Sequence, residues 1–281
     1  MMMKWKRGNS ESYVNLFSFD NAGTFTSTKS QRVTVSSYGY TDLIKGPGNL
    51  YISAEQGYKR RDNVNKWGLL VSTLSTDGKD DVHVVDTERM TQNVTDNTTS
   101  YYRSPSITAL NDSIYAIGYR GYYHDGFIET FKVETSGKIT RLKSYEYDVN
   151  ESNYNKLVRV DSNTVAMIYR GFKGQWGGHV LTFDIATDGS SITEVASKLL
   201  HNSGDFFDTD LIHLRDDMYV AAYKGQGADG YLATLSVSKD GKTIDIKKEL
   251  EHEPIQNSYN SLIKTGPNSV ALAYAGVGDD G

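Results

Sequence analysis

The sequence predicts an all-β protein, a five-bladed β-propeller of four-stranded antiparallel blades. Three observations carry this prediction: a repeat of about 50 residues, short alternating apolar runs within each repeat, and two chain ends that resemble halves of one repeat. We expect N-terminal strands at about 11–35 to complete a C-terminal blade at about 258–281. The whole chain, 1–281, is then a single domain.

The repeat is marked by a tyrosine, a variable residue and a glycine. The four clear copies end at Gly121, Gly171, Gly225 and Gly276, which lie 50, 54 and 51 residues apart, and a degenerate copy ends at Gly57. Each tyrosine stands at the end of an apolar run, where we expect it to pack between neighbouring blades while the glycine permits the turn.

Each repeat contains four strand-like runs separated by turn-forming residues. In the clearest repeat the runs cover about 104–110, 114–120, 127–133 and 138–147. Asn111-Asp112-Ser113 and Thr135-Ser136-Gly137 fall between them and suit tight hairpin turns. The order is therefore strand, tight turn, strand, variable loop, strand, tight turn, strand, which is the pattern of a propeller blade.

The repeats set the blade boundaries. We place blade one at about 38–90, blade two at about 101–149, blade three at about 152–200, blade four at about 206–252, and blade five at about 257–281 together with 11–35. Residues 1–10 are interpreted as a polar lead-in, and 57–68 as a long loop of the irregular first blade. Sharing a blade between the two ends would leave only short strand edges exposed.

This strand order sends two kinds of connection to opposite faces of the ring. The first-to-second and third-to-fourth hairpins form what we call the hairpin face, and the second-to-third loops and blade-to-blade connections form the loop-rich face. Aromatic side chains beside charged ones in such loops are suited to contact sugars or proteins. The candidate ligand-binding residues on the loop-rich face are Tyr58, Arg60, Arg61, Trp67, Tyr122, Tyr123, His124, Asp125, Phe172, Trp176, Gln226, Asp229 and Asp279.

Polar residues also occur where the blade-to-blade connections reach the mouth of the central channel. Asp42, Asp208 and Asp210 lie near the starts of first strands, where other repeats carry serine or asparagine. We interpret these acids as variants of a repeated position that bond backbone groups, or hold a water or cation, rather than as the carboxylate pair of a glycosidase. The sequence contains neither a nucleophile elbow nor a phosphate loop, so we predict no catalytic residue.

The evidence for a metal site is weak. Asp125, Asp229 and Asp280 precede glycines at equivalent places, but each belongs to a different blade. There is no calcium-loop pattern of alternating aspartates and no pair of histidines at metal-binding spacing. We therefore predict no metal and no cofactor.

Composition excludes several partner classes. The net charge is −5, which argues against nucleic-acid binding, and the chain has no cysteine for disulfides or thiolate chemistry. We see neither a signal-peptide core nor a run long enough to span a bilayer, so a soluble protein is expected. Its location stays open, with an extracellular or virion setting among the alternatives.

The five units, with Tyr-x-Gly anchors followed by turns such as Asp188-Gly189 and alternating strands, resemble repeat-built propellers such as the tachylectin-like five-bladed lectins. The resemblance is architectural, covers the whole chain and carries over no site residue. It favours a non-enzymatic recognition module that binds a carbohydrate or protein through the loop-rich face. The alternatives are a structural or assembly subunit of a virus particle or cell-surface layer and, with less support, a glycoside hydrolase.

Overall fold

The computed structural model describes residues 2–7, 11–22, 24–34, 41–61, 64–76, 82–90 and 103–276. These residues form β-strands joined by turns, with two single-turn 3₁₀ segments at Tyr122–His124 and Gln226–Ala228. No helix in the described ranges is long and apolar enough to cross a membrane. The fold is all-β, as the alternating runs predict.

Four complete antiparallel blades follow a three-stranded N-terminal sheet. That sheet contains β1 (Met2–Arg7), β2 (Glu11–Phe19) and β3 (Phe25–Thr34). Blade one contains β4 (Thr41–Lys45), β5 (Leu50–Arg61), β6 (Val64–Thr76) and β7 (Val82–Arg89). Blade two contains β8 (Arg103–Ala109), β9 (Ile114–Arg120), β10 (Gly126–Val133) and β11 (Ile139–Asp148).

The later blades repeat the same order. Blade three contains β12 (Ser152–Arg159), β13 (Thr164–Phe172), β14 (Trp176–Ile185) and β15 (Ile192–His201). Blade four contains β16 (Phe207–Arg215), β17 (Met218–Lys224), β18 (Gly230–Val237) and β19 (Ile244–Glu253). Strands β20 (Ser258–Gly266) and β21 (Ser269–Ala275) form the first hairpin of a fifth unit. This is the architecture of a five-bladed propeller, with the fifth set of strands divided between the chain ends.

The N-terminal sheet differs in one respect from the sequence-based description. The polar lead-in contains strand β1, which pairs with β2 from Met2 opposite Leu16 to Arg7 opposite Glu11. Strand β2 therefore has neighbours on both edges, β1 and β3, and β1 lies beside β4 of blade one. Among the described residues no backbone pairing joins β21 to this sheet, so direct pairing between the two halves of the fifth blade stays a prediction.

The expected long loop of blade one is instead an extended β-hairpin. Backbone pairing between β5 and β6 continues from Leu50 opposite Ser75 to Arg61 opposite Val64. Only residues 62 and 63, which lie outside the described ranges, separate the two strands. The sequence does not predict these strand extensions because their residues are largely charged and lack an alternating apolar pattern. A hairpin that projects from a blade does not require an apolar face toward the core.

Apolar side chains pack between successive blades. Three of the four repeated tyrosines lie in this inter-blade core: Tyr119, Tyr169 and Tyr223 are fully buried, whereas Tyr274 is half-buried. Each of the three buried tyrosines directs its hydroxyl to a carboxylate, and the O···O distances are 2.5 Å to Glu129, 3.0 Å to Asp148 and 2.5 Å to Glu249 respectively. In these three blades the tyrosine of the repeat is therefore a structural residue.

A second repeated contact ties each blade to the next on the hairpin face. A threonine on the third strand donates its hydroxyl to the carbonyl of the glycine in the next blade's third-to-fourth hairpin. The pairs are Thr73 with Gly137 at 2.5 Å, Thr130 with Gly189 at 2.6 Å, and Thr182 with Gly241 at 2.7 Å. All three glycines have φ between +71° and +90°, a conformation that disfavours other residues.

Candidate functional site

Strands β8, β12, β16 and β20 each contain a bulge near their first residue. These are the first strands of blades two, three and four and of the fifth unit, and the bulges lie at the loop-rich face. The register shifts after Arg103, Asn153, Phe207 and Ser258. The next residue has a left-handed backbone in each case, with φ of +51° at Ser104, +53° at Tyr154, +48° at Asp208 and +57° at Tyr259. Bulges re-aim side chains, and here they turn the following residues toward the channel mouth.

Two sets of hydrogen bonds connect these bulges from blade to blade. In the first, a side chain donates to the carbonyl of the left-handed residue in the preceding blade: Asn155 to Ser104, Thr209 to Tyr154 and Asn260 to Asp208. In the second, a side-chain oxygen accepts the backbone N–H of the following blade: Asp42 from Ile107, Ser106 from Leu157 and Asp210 from Leu262. We call these contacts the mouth latches.

The acids at the mouth are engaged in these latches. Asp42 accepts the N–H groups of Leu43 and Ile107 at 2.9 and 2.7 Å. Asp210 accepts those of Leu211 and Leu262 at 2.9 and 2.6 Å. Such contacts satisfy both oxygens of each carboxylate, which supports the interpretation of these positions as variants of a structural repeat.

Lys156 replaces the acceptor at the same position of blade three. Its ammonium lies 3.1 Å from the Asp210 carboxylate. Burial acts to lower the pKa of Lys156, but the charges of Asp210 and Asp42 outweigh it and hold the pKa above its usual range. The lysine therefore stays charged and extends the latch by an ion pair.

A cavity of about 220 Å³ opens above the latches, at the channel mouth. The bulge residues of the repeats line it, among them Ser104, Tyr154, Asp208 and Tyr259. Tyr259 is 78 % exposed. Tyr154 and Asp208 are half-buried at this depression and Ser104 is buried, so Tyr259 is the left-handed residue most exposed to solvent there.

A row of aromatic and cationic side chains runs outward from this mouth at the junction of blades three and four. Tyr154 packs edge-on against Phe207, with ring centroids 5.4 Å apart. The Arg170 guanidinium lies 5.0 Å from the centroid of Phe207 and 5.8 Å from that of Trp176. Phe172 meets Trp176 edge-on at 5.5 Å. We call Tyr154, Phe207, Arg170, Trp176 and Phe172 the aromatic row.

Arg170 is fixed in place by its other contacts. Its Nε donates to the carbonyl of Gly204 at 2.6 Å, and its NH1 group lies 3.2 Å from a Glu151 carboxylate oxygen. Trp176, at the outer end of the row, is 44 % exposed. The row therefore combines a rigid cation with an accessible indole, an arrangement suited to stacking against a flat or ring-shaped ligand face.

The loop of blade two carries a second exposed aromatic residue. Tyr123 is 66 % exposed and has a left-handed backbone, with φ +54° and ψ +15°. The equivalent position of blade four is Gly227, with φ +77° and ψ +1°, and both segments close with the same backbone bond, Gly121 N to Asp125 O or Gly225 N to Asp229 O. Blade two thus keeps tyrosine where the backbone favours glycine.

Asp125 follows in the same segment. Partial burial raises its pKa to about 6, and the charge and hydrogen bond of Glu146, together with the charge of Asp148, act in the same direction. His124, between Tyr123 and Asp125, also has a left-handed backbone with φ +81°. This segment is a candidate contact surface on a different blade from the aromatic row.

The structure brings some of the predicted site residues together and leaves others apart. Phe172 and Trp176 belong to the aromatic row, whereas Tyr122, Tyr123, His124 and Asp125 lie in blade two. Gln226 begins the equivalent 3₁₀ turn of blade four and Asp229 follows it, with Asp229 N–H donating to the Gln226 carbonyl at 3.4 Å. Of Tyr58, Arg60, Arg61 and Trp67 only the strand positions in β5 and β6 are described, with Tyr58 opposite Trp67. Asp279 lies outside the described residues.

Arg170, Phe207 and Tyr154 are not among the ligand-binding residues predicted from the sequence. A signal for Arg170 was present, because the variable position of Tyr-x-Gly holds a basic residue in three repeats, Arg120, Arg170 and Lys224. Arg120 also reaches the next blade, where its NH1 group donates to Asn153 Oδ1 at 2.9 Å. Within the described residues no group of three or more His, Cys, Asp or Glu side chains is placed to hold a metal ion.

Comparison with known proteins identifies the fold. No family model matches the sequence, and no curated protein matches it. Among solved structures, Sqt1 of Chaetomium thermophilum, in complex with the N-terminus of the ribosomal protein L10, matches with a TM-score of 0.56 and 13% identity over 95% of this chain and 65% of its own.

Two further solved structures are similar to the same degree. A hypothetical selenium-binding protein from Sulfolobus tokodaii gives a TM-score of 0.55 at 10% identity, covering 94% of this chain and 67% of its own. The K499G mutant of NanB sialidase from Streptococcus pneumoniae gives 0.54 at 12% identity, covering 97% of this chain and 41% of its own. At these identities the similarity is one of propeller architecture alone.

Proposed function

We propose that this protein is a non-enzymatic recognition module that binds a carbohydrate through the loop-rich face, with the aromatic row as the main contact surface. The observation that carries the proposal is the continuity of the row: Trp176, Arg170, Phe207 and Tyr154 form successive contacts from the outer loop of blade three to the channel mouth. A sugar ring would stack on the exposed indole while its hydroxyls face polar groups of the mouth.

The position of the row supports recognition over simple packing. The repeat's own packing aromatics, such as Tyr169 and Tyr223, are fully buried, whereas Trp176 leaves 44 % of its side chain in solvent. An indole that served only the core would be expected to bury more of its surface. The latch contacts of Asp42 and Asp210 support a non-enzymatic role, because both carboxylates are occupied by backbone N–H groups.

A protein partner is the second candidate. Tryptophan, tyrosine and arginine, the residue types of the row, are those that dominate the binding energy of protein interfaces. The similar propeller Sqt1 was solved with the N-terminus of a ribosomal protein bound, so the architecture can serve that purpose. Self-assembly as a structural subunit is a further alternative. Light scattering on the purified chain tests it, because a self-assembling subunit would have a molar mass in solution well above that of one chain.

The test is a glycan-array screen of the purified, monodisperse chain with Trp176→Ala beside it. Losing the indole is expected to weaken the best glycan about thirtyfold, as for a central aromatic contact worth about 2 kcal/mol. The melting temperature should stay close to that of the native chain, since the side chain is half in solvent. Leu250→Ala is the matched control, because Leu250 is 56 % exposed on the outer strand of blade four.

Retained glycan binding by Trp176→Ala, or equal loss in Leu250→Ala, would contradict the assignment of the site. A blank array from folded native protein would remove the carbohydrate proposal and leave the protein partner. Turnover of an aryl glycoside that disappears in Asp42→Asn or Asp210→Asn would instead favour the glycosidase alternative.

A further inference from the structure

The cavity at the channel mouth is lined by polar atoms that the fold leaves without partners. Ser104 is 6 % exposed, and its hydroxyl has no hydrogen-bond partner among the described residues. The side-chain oxygen of Asn260 is also buried without a partner, because only the amide nitrogen of this residue donates, to the Asp208 carbonyl and to Asn257. Buried polar groups are nearly always hydrogen-bonded, so these atoms indicate water or a ligand in the cavity.

Asp208 adds an unpaired carboxylate to the same cavity. Its side chain is half-buried and forms neither a hydrogen bond nor an ion pair with any residue that the structure describes. The left-handed backbone does not require an acid here, since the equivalent positions of the other repeats hold Ser104, Tyr154 and Tyr259. A partly buried charge without a counter-charge costs free energy, so the fold alone does not account for this carboxylate.

The charge at the mouth is predominantly negative. Three carboxylates, Asp42, Asp208 and Asp210, adjoin one ammonium, that of Lys156, which leaves two negative charges. Lys156 does not neutralise Asp208, because its ammonium lies 3.1 Å from Asp210. Burial acts to lower the pKa of Lys156, but the charges of Asp210 and Asp42 raise it above its usual range, as expected where the potential is negative. A positively charged group is the electrostatic complement of this mouth.

The cavity is continuous with the aromatic row. Asp208 directly follows Phe207 in β16, and Tyr154 both lines the cavity and packs against Phe207. Two cations lie over the Phe207 ring, Arg170 at 5.0 Å and Lys224 at 5.9 Å, and neither is among the residues that line the cavity. A ligand that stacks on the row can therefore place one substituent in the mouth, beside Asp208.

We infer that the glycan bound at the aromatic row carries a primary amine, and that its ammonium group binds in the channel mouth with Asp208, Ser104 and Asn260 as acceptors. The inference rests on the proposed carbohydrate function and names the class of sugar, a hexosamine whose amino group is not acetylated. The three N–H groups of an ammonium match the three acceptors, and its charge compensates the Asp208 carboxylate. A neutral hydroxyl would leave that carboxylate covered but uncompensated.

The test is isothermal titration calorimetry of the full chain with methyl glycosides and tetrasaccharides of glucosamine and galactosamine, each as the free amine and in N-acetylated form. At about pH 6 the amine is protonated, since an amine of the α-amino type has a pKa of about 8. We expect at least one amine form to bind about tenfold more tightly than its acetylated counterpart. Asp208→Asn, which keeps the side-chain shape and tolerates the left-handed backbone, should remove this preference.

Asp205→Asn is the matched control. It removes the same charge from the connection that leads into β16, but Asp205 is exposed and does not line the cavity, so the preference should persist. Equal binding of the amine and acetylated forms by the native chain would overturn the inference. An unchanged preference in Asp208→Asn, or an equal loss of preference in Asp205→Asn, would overturn it as well.

The outcomes distinguish this inference from the proposed function. A folded chain that binds none of these sugars but binds another glycan on the array, with loss in Trp176→Ala, would keep the aromatic row as a carbohydrate site and remove the amine. A blank array would overturn both. The comparison of amine with acetylated forms is made on the native chain, so the test stays valid if Asp208→Asn does not fold.

Discussion

At the scale of single residues, Tyr123 is the side chain whose backbone conflicts most clearly with its identity. Its left-handed conformation costs a non-glycine residue about 1–2 kcal/mol, and blade four uses Gly227 at the same place. Since 66 % of the tyrosine is exposed, its side chain gains little from burial that would offset this cost. Strain held at an exposed aromatic residue is typical of sites kept for binding.

Replacing Tyr123 with glycine should therefore leave stability unchanged or raise it by up to about 1 kcal/mol, because relief of backbone strain exceeds the added entropy of the unfolded chain. Chemical denaturation measures this difference. Gly227→Ala is the reciprocal control and should cost about 1 kcal/mol. A substantial loss of stability in Tyr123→Gly would show that the tyrosine is a structural residue.

Some residues of the aromatic row can be predicted from the sequence and others cannot. Phe172 and Trp176 could be selected from the sequence because both lie in a loop rich in aromatic residues. Phe207 could not, since its contact with Arg170 crosses from one blade to the next and depends on the bulge that follows it. Periodicity predicts which side of a strand a residue occupies, but not which side chain of the next blade it meets.

At the scale of elements, the first strands are held to one another by the mouth latches. Asp210 carries the most contacts of this kind, because it accepts Leu262 N–H and also pairs with Lys156. Asp42 accepts an N–H from the next blade in the same way but lies at a position without such a direct lysine partner. The two acids therefore form a natural pair for measuring what the ion pair adds.

Asp210→Ala is expected to lower the free energy of unfolding by about 2–3 kcal/mol, because a buried N–H loses its acceptor and the partly exposed Lys156 ammonium loses its ion pair. Asp42→Ala should cost about 1–2 kcal/mol, the effect of an unsatisfied N–H. Urea denaturation gives both values. Equal losses in the two variants would mean that the Lys156 pair contributes nothing, and no loss in either would refute the latch.

Strands and turns were the elements that the sequence predicted best. Alternating runs and Asn, Asp and Gly turns specify them locally, and the four-stranded antiparallel sheets that these patterns predict are present in the structure. Strand β1 and the extended hairpin of blade one were missed because their residues are mostly polar and charged. Their strand character comes from backbone pairing with a neighbouring strand, which an apolar pattern does not report.

At the scale of the whole molecule, the repeat architecture separates structure from recognition. Inter-blade tyrosines, threonine bonds and mouth latches recur from blade to blade and hold the ring together. The features that do not recur are the aromatic row and Tyr123. Function is expected at these departures from the repeat, since the repeated features already account for folding.

The most direct test of the account is hydrogen–deuterium exchange of the full chain with and without the glycan that binds best on the array. We predict slower exchange in peptides covering 170–176 and 204–210, with no change in the hairpins at 161–163 and 215–217 on the opposite face. Protection confined to the hairpin face, or to the outer strands, would contradict recognition through the loop-rich face.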